Sequence, residues 1–432
     1  MTSFAVAVAA ASAVAADNRQ LVFLDGPGDT AKCLDGSPYA FYIWPGTSSN
    51  WSFFINGGGW CLNEDACRVR AGTALGSSKG YNISGAWGPP PDNRNGGPAA
   101  YTCQGLDPNC TRVFLPYCDG SSFTSSRKQP WPVNGTDSAS LHFGGFANLA
   151  RTLDVLEARF GLGQARRAVV QGGSAGGLST FLHVDYVSDR LRAAAAAAAA
   201  TATTPGLAVT ARTPSTRGPL GRQRGLAAPS PPLVVVGRPV AGFFIDELNF
   251  DPSIPSYAEK IAYGVAMFNA TPALSPACKA AHPAEQWRCF MAPYAASHVV
   301  QPLFVVQSRF DEFQLMDLLG LPCFRGQSFE PPFKLANCTT KERGAIVGFG
   351  ADLVAQMQPL LRAKPDTGTW LVSCIQHDVV CDLDNTTEET AFTSWLSKGA
   401  LGKSIGYRWR SSCGVDGASP CETGSHCAPP TF

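Results

Sequence analysis

The chain has 432 residues, a hydrophobic fraction of 45%, a charged fraction of 16% and a formal net charge of +1. That apolar content supports a large buried core and excludes wholesale disorder. No run of basic residues interleaves with aromatics, so the electrostatic footprint of a nucleic-acid partner is missing.

The chain opens with "MTSFAVAVAAASAVAADNRQ". Its apolar stretch from Phe4 to Ala16 ends in small residues, so residues 1–16 read as a signal peptide, although no Lys or Arg precedes them. No later segment has the ~18 uninterrupted apolar residues of a membrane span. The mature protein is expected to be secreted or luminal, and monomeric. Fifteen cysteines without the paired C-x-x-C spacing of a zinc site read as a disulfide framework of open connectivity, with one thiol left over. Seven N-x-S/T triplets, at Asn50, Asn82, Asn109, Asn134, Asn269, Asn337 and Asn385, suit the same compartment.

Short apolar runs without alternation read as strands buried on both faces. "WSFFI" before the glycines at 57–59 is the first, followed by "TRVFLPYCDGSSF" (111–123), "RAVVQGGSAGG" (167–177), "PLFVVQSRFDEF" (302–313) and "TWLVSCIQH" (369–377). Between them, Phe146, Leu149, Leu153, Leu156 and Phe160 recur at helical steps before Gly161. Strands alternating with helices predict an α/β fold with a largely parallel sheet. The stretch from Ala193 to Gly242 contains no acid, aromatic or cysteine. It predicts a low-complexity insertion over about 193–240, with the alanine tract available to extend the preceding helix. The main domain is then 17–400, followed by a cysteine-rich tail over 401–432.

Three successive glycines at 57–59 require a local reason: a tight turn, or backbone N–H groups aimed at a negative oxygen. The second reading needs partners. "QGGSAGG" supplies one, because Gly172, Ser174 and Gly176 fit G-x-S-x-G between a strand and a helical segment, the setting of a nucleophile elbow. A serine nucleophile needs a base, and the base needs a carboxylate. Of six histidines, His377 follows a strand and comes last, as in the order Ser, acid, His. Asp311 is the matching acid, with Asp246 and Asp378 as competitors. Ala175, Gly58 and Gly59 are the candidate oxyanion-hole donors.

In order, "INGGGWC", "LGSSK", "YCDGSSF", "GGSAGG", "AGFFID", "FDEFQL" and "SCIQH" resemble the pectin acetylesterases, a family that includes the Notum-type carboxylesterases. The resemblance covers about residues 21–190 and 241–400. It implies an α/β-hydrolase-like fold and a secreted serine esterase with Ser174, Asp311 and His377 as its triad. No metal or organic cofactor is implied. The expected partner is an acetylated polysaccharide such as pectin. A lipid deacylase acting on a secreted protein is the alternative, and an inactive glycan-binding relative a more distant one. Val240 departs from the family, which usually has an acid before "AGFF".

Overall fold

The computed structural model describes residues 18–83, 103–133, 136–203, 232–325, 335–377, 386–398 and 408–410. Its strands are β1 (Gln20–Phe23), β2 (Ala40–Trp44), β3 (Asn50–Ile55), β4 (Thr111–Leu115), β5 (Trp131–Val133), β6 (Thr136–Leu141), β7 (Arg167–Gly173), β8 (Val234–Val240), β9 (Phe304–Phe310), β10 (Gly368–Ile375) and β11 (Arg408–Arg410). The α-helices are α1 (Glu64–Ala71), α2 (Gly145–Phe160), α3 (Ala175–Thr203), α4 (Tyr257–Phe268), α5 (Pro276–Ala281), α6 (Ala292–Ala295), α7 (Thr340–Ala363) and α8 (Glu388–Lys398).

Nine strands form one sheet in the order β1-β2-β4-β3-β7-β8-β9-β10-β11. From β4 to β11 all neighbours run parallel, whereas β2 is antiparallel to both β4 and β1. The apolar runs explain the centre: every residue of β9 and β10 is buried, as a strand covered by helices on both faces must be. On one side α3 packs Leu178, Phe181, Val184, Val187 and Leu191, all buried, at three- and four-residue steps. On another, Phe392 and Trp395 of α8 meet Phe304 of β9 with ring centroids 5.4 Å apart in each case. The helix expected around 146–160 is α2, and Gly161 ends it with φ +75°.

Registers align the strand ends along one edge. Ile55 pairs with Gly172, Gly173 with Val240, and Phe310 with Ile375. Gly57–Gly59, Ser174, Ala241, Asp311 and His377 therefore all emerge at that edge.

The insertion expected over 193–240 is corrected at its C-terminal boundary. Val234–Val240 is β8, a central strand hydrogen-bonded to β7 along its whole length. The β-branched run "VVV" wins over the Ala-, Pro- and Arg-rich composition around it, because strands on both sides bury it. The alanine tract does extend the helix, to Thr203, as the best helix former should. Residues 204–231 lie outside the described residues. The tail is not wholly separate either, since Arg408–Arg410 adds an edge strand beside β10; its cysteines fall outside the described residues.

Among the described residues, five disulfides join Cys33 to Cys118, Cys61 to Cys67, Cys103 to Cys110, Cys278 to Cys289 and Cys323 to Cys338. The first closes the longest loop, 85 residues, and pins the segment after β4. Replacing Cys33 and Cys118 together by Ala should cost roughly 2–5 kcal/mol of stability. Urea midpoints read by tryptophan fluorescence check this; a midpoint equal to that of the unmodified protein would show the bridge to be dispensable.

Candidate active site

The turn from β7 into α3 is made at Ser174, whose φ of +57° is a strained value for a residue with a side chain. Its backbone N–H donates to Val240 O at 2.9 Å, which ties the elbow to the end of β8. The helix begins at Ala175, so the first-turn N–H groups lack intrahelical acceptors.

The loop after β3 runs against this elbow. A Cβ on Gly57 would lie 2.3 Å from Gly173 O and 2.8 Å from Ser174 Cβ, so only glycine fits. Gly58 and Gly59 follow with φ of +135° and +65°. Among the described residues, neither their N–H groups nor that of Ala175 is spent on a hydrogen bond. Three donors thus remain available near the serine, which is what a developing oxyanion requires.

His377 Nε2 lies 2.7 Å from Ser174 Oγ. Its Nδ1 is 3.0 Å from each carboxylate oxygen of Asp311. Asp311 is fully buried, and its remaining bonds come from two glutamines' neighbourhoods: Gln307 Nε2 donates to Oδ2 at 2.9 Å and the Gln314 N–H to Oδ1 at 3.1 Å. The same glutamines reach the chain after β8, because Gln307 Oε1 accepts from Phe243 N and Gln314 Oε1 from Ile245 N, each at 2.9 Å. An imidazole held this way can take a proton from serine and has a fixed anion to stabilise its charged form. Phe313 and Phe244 stand beside it, with ring centroids 5.4 and 6.1 Å from that of His377. Trp60, after the glycines, packs on Phe244 at 4.7 Å, on Tyr257 at 5.6 Å and on Phe313 at 6.3 Å.

The structure therefore brings Ser174, Asp311 and His377 together and places Gly58, Gly59 and Ala175 beside them. Asp246 is elsewhere engaged: its Oδ2 meets Arg288 Nη1 at 3.0 Å and the Tyr294 hydroxyl at 2.5 Å. Asp378 lies outside the described residues. Cys278, His282 and His298 offer atoms within 4.8 Å of one another, but Cys278 is in a disulfide, so its sulfur is no thiolate ligand.

Sequence reasoning missed the architecture of "YCDGSSF". After Gly120 (φ +66°), Ser122 and Phe123 both have positive φ, +52° and +60°, although neither is glycine. Asp119 Oδ2 holds the turn by accepting from the Ser121 N–H at 3.1 Å, the Phe123 N–H at 3.0 Å and the Ser121 hydroxyl. Ser122 then links two parts of the site, because its hydroxyl donates to Ala175 O and accepts from Trp60 Nε1, each at 2.8 Å. Beneath it, fully buried His183 has Nε2 2.9 Å from Ser122 O. A carbonyl only accepts, so Nε2 carries the proton. Burial lowers this imidazole to about 4, the Ser122 carbonyl opposing only in part.

Comparison with known proteins decides the family. The Pectinacetylesterase family model matches residues 12–207 and 230–425. The chain belongs to the pectinacetylesterase family. It is 28% identical over 358 residues to pectin acetylesterase 7 of Arabidopsis thaliana, covering 80% of this chain and 76% of that protein. It is also 25% identical over 322 residues to the palmitoleoyl-protein carboxylesterase notum1a of Danio rerio, covering 71% of this chain and 54% of that one. The crystal structure of the Wnt deacylase Notum from Drosophila superposes with a TM-score of 0.67 at 20% identity, over 93% of this chain and 100% of that one. The fold is accordingly α/β-hydrolase-like, and the protein is a carboxylic ester hydrolase. The family match extends to 425, so most of the tail falls within it. No helix among the described residues is long and apolar enough to cross a membrane.

His183 generates a pH prediction. Its folded value is depressed, so between about 6.5 and about 4 the unfolded chain binds the extra proton. Stability carried by the neutral imidazole is complete above that window and declines by ~3 kcal/mol as pH falls through it. Burial raises Asp119, which acts in the opposite sense, so the comparison must isolate the histidine. His183→Gln should flatten the stability profile between pH 6.5 and 4 in denaturant titrations. Parallel profiles for the two proteins would exclude His183 as the source.

Proposed function

We propose that the protein is a secreted serine esterase that removes acetyl groups from pectin or a related acidic polysaccharide. The observation that carries this reading is the chain of contacts from Ser174 Oγ through the two nitrogens of His377 to buried Asp311, beside three unspent backbone N–H groups. The disulfides and the relatedness to pectin acetylesterases support the compartment and the substrate class.

In this mechanism Ser174 Oγ attacks the acetyl carbonyl while His377 Nε2 takes its proton. Asp311 fixes the imidazole tautomer and stabilises the imidazolium. The oxyanion of the tetrahedral intermediate is held by the N–H groups of Ala175, Gly58 and Gly59; a single such donor is worth ~2.7–4 kcal/mol of barrier. Collapse of the intermediate expels the sugar hydroxyl, which receives the proton from Nε2, and leaves acetyl-Ser174. His377 then deprotonates a water, whose attack regenerates Ser174 and releases acetate. The second reading, removal of a longer acyl chain from a protein, draws on the similarity to the palmitoleoyl-protein carboxylesterase and on the aromatic surface of Trp60, Phe244 and Phe313 beside His377.

Ser174→Ala should remain folded and lose p-nitrophenyl acetate hydrolysis by at least about a thousandfold. Asp311→Asn should lose activity on the order of 10³–10⁴-fold, whereas Asp246→Asn should stay within a few-fold of the unmodified enzyme. If Asp246→Asn silences the enzyme and Asp311→Asn does not, the acid is misassigned.

A polysaccharide esterase must admit a bulky chain to its site while seating only a small acyl group. Rates on p-nitrophenyl esters should therefore peak at acetate or butyrate, with acetate released from acetylated pectin. An apolar pocket rewards each added methylene by about 1–3 kcal/mol, so a peak at octanoate or longer, with no acetate from pectin, would select the second reading.

A further inference from the structure

A groove of about 500 Å³ lies outside the triad, lined by Arg127, Lys128, Gln129, Trp131 and Asn269 among others. Its walls are fixed. The Ser126 N–H donates to Phe268 O at 3.1 Å and the Arg127 N–H to Phe143 O at 2.9 Å. Asn269, the left-handed C-cap of α4, donates from Nδ2 to Ser126 O at 3.2 Å. Pro130 and Pro132 flank Trp131, limiting the backbone freedom of that wall.

The charge in this groove is unbalanced. Arg127 is held by the carbonyls at the end of α4, from Nη2 to Ala266 O at 3.2 Å and from Nε to Met267 O. Its guanidinium lies 4.2 Å from the centroid of the Trp131 ring. Among the described residues it has no carboxylate partner, and desolvation pulls it below its usual value. An anion in the groove would offset that cost. Next to it, exposed Lys128 makes no hydrogen bond or ion pair among the described residues. The acid nearest in the network, Glu64, accepts from Trp131 Nε1 at 3.0 Å and so holds the indole in place.

Two cations, the Arg127 guanidinium stacked over Trp131 and the exposed Lys128 ammonium, with amide groups of Gln129 and Asn269 around them, offer donors for a carboxylate and partners for hydroxyls. The position also suits a polymer. Ser122 touches Ala175 O, and Arg127 follows Ser122 by five residues, a reach of at most ~18 Å. We propose that this groove binds the uronate units that neighbour the esterified sugar on an anionic polysaccharide, holding the chain while Ser174 acts. The inference rests on the proposed polysaccharide reaction for its substrate class.

Two arms test it. In the first, Lys128→Glu, a change at an exposed position, should raise KM on acetylated polygalacturonate relative to KM on p-nitrophenyl acetate by about fivefold or more, and weaken the dependence of the polymer KM on salt. An unchanged ratio overturns the proposal. In the second, unesterified oligogalacturonate is titrated calorimetrically into Ser174→Ala with and without Lys128→Glu. Weaker binding by the double variant supports the groove, and equal binding overturns it. This arm needs no turnover, so a wild-type enzyme that releases no acetate from the polymer would count against the proposed reaction while the binding result still judges the groove. Binding seen only after glycosidase treatment would overturn the proposal for the secreted form, because a glycan on Asn269 would then be the occupant.

Discussion

The site depends on one close approach, that of the loop after β3 to the elbow after β7. Gly57 fits because a Cβ there would collide with Gly173 O and Ser174 Cβ. The same contact sets three things: the strained φ of Ser174, the position of the unspent N–H groups of Gly58 and Gly59, and the seat of Trp60. It exists because β3 and β7 are adjacent parallel strands whose registers end together, Ile55 opposite Gly172. Moving either strand by one residue would turn its side chains to the other face and separate the donors from the nucleophile.

A second support comes from below. Ser122 joins Trp60 to the first carbonyl of α3, and its own strained turn is held by Asp119, Tyr117 and His183. Among the described residues the network is not fully satisfied, since Asp119 Oδ1 is buried without a hydrogen-bond partner. Left-handed φ values at Ser122, Phe123 and Ser174, each of order 1–3 kcal/mol, thus cluster within one neighbourhood. Strain of this kind persists only where surrounding contacts over-determine the backbone, as they do here.

Much of this was legible in the sequence, and the reasons are specific. Ser174 is announced by its flanking glycines between a strand and a helix. Asp311 and His377 are announced by their places just past apolar runs, because parallel strands deliver their following residues to one edge. Asp246 follows an apolar run as well, and it is the contacts, Asp311 with His377 and Asp246 with Arg288 and Tyr294, that separate the two acids. Strand β8 was hidden, since "VVVGRPV" sits beside a long Ala-, Pro- and Arg-rich stretch and itself contains Pro239, a residue that argues against a central strand. Ser122 was unreadable for a different reason: its geometry comes from Asp119 and Tyr117, and the turn's one glycine, Gly120, lies two residues before it.

The long helix α3 separates two connections that respond differently to a change of length. Its first residue follows Ser174, and its 29 residues carry the backbone roughly 43 Å away before it must return to the sheet. Length added or removed beyond Thr203 enters at the end remote from Ser174, and so leaves the elbow in place. The residues between Ile55 and Trp60 have no such licence, because an added atom at Gly57 strikes the elbow directly. The distance of each connection from Ser174 thus decides how much an insertion there disturbs the elbow.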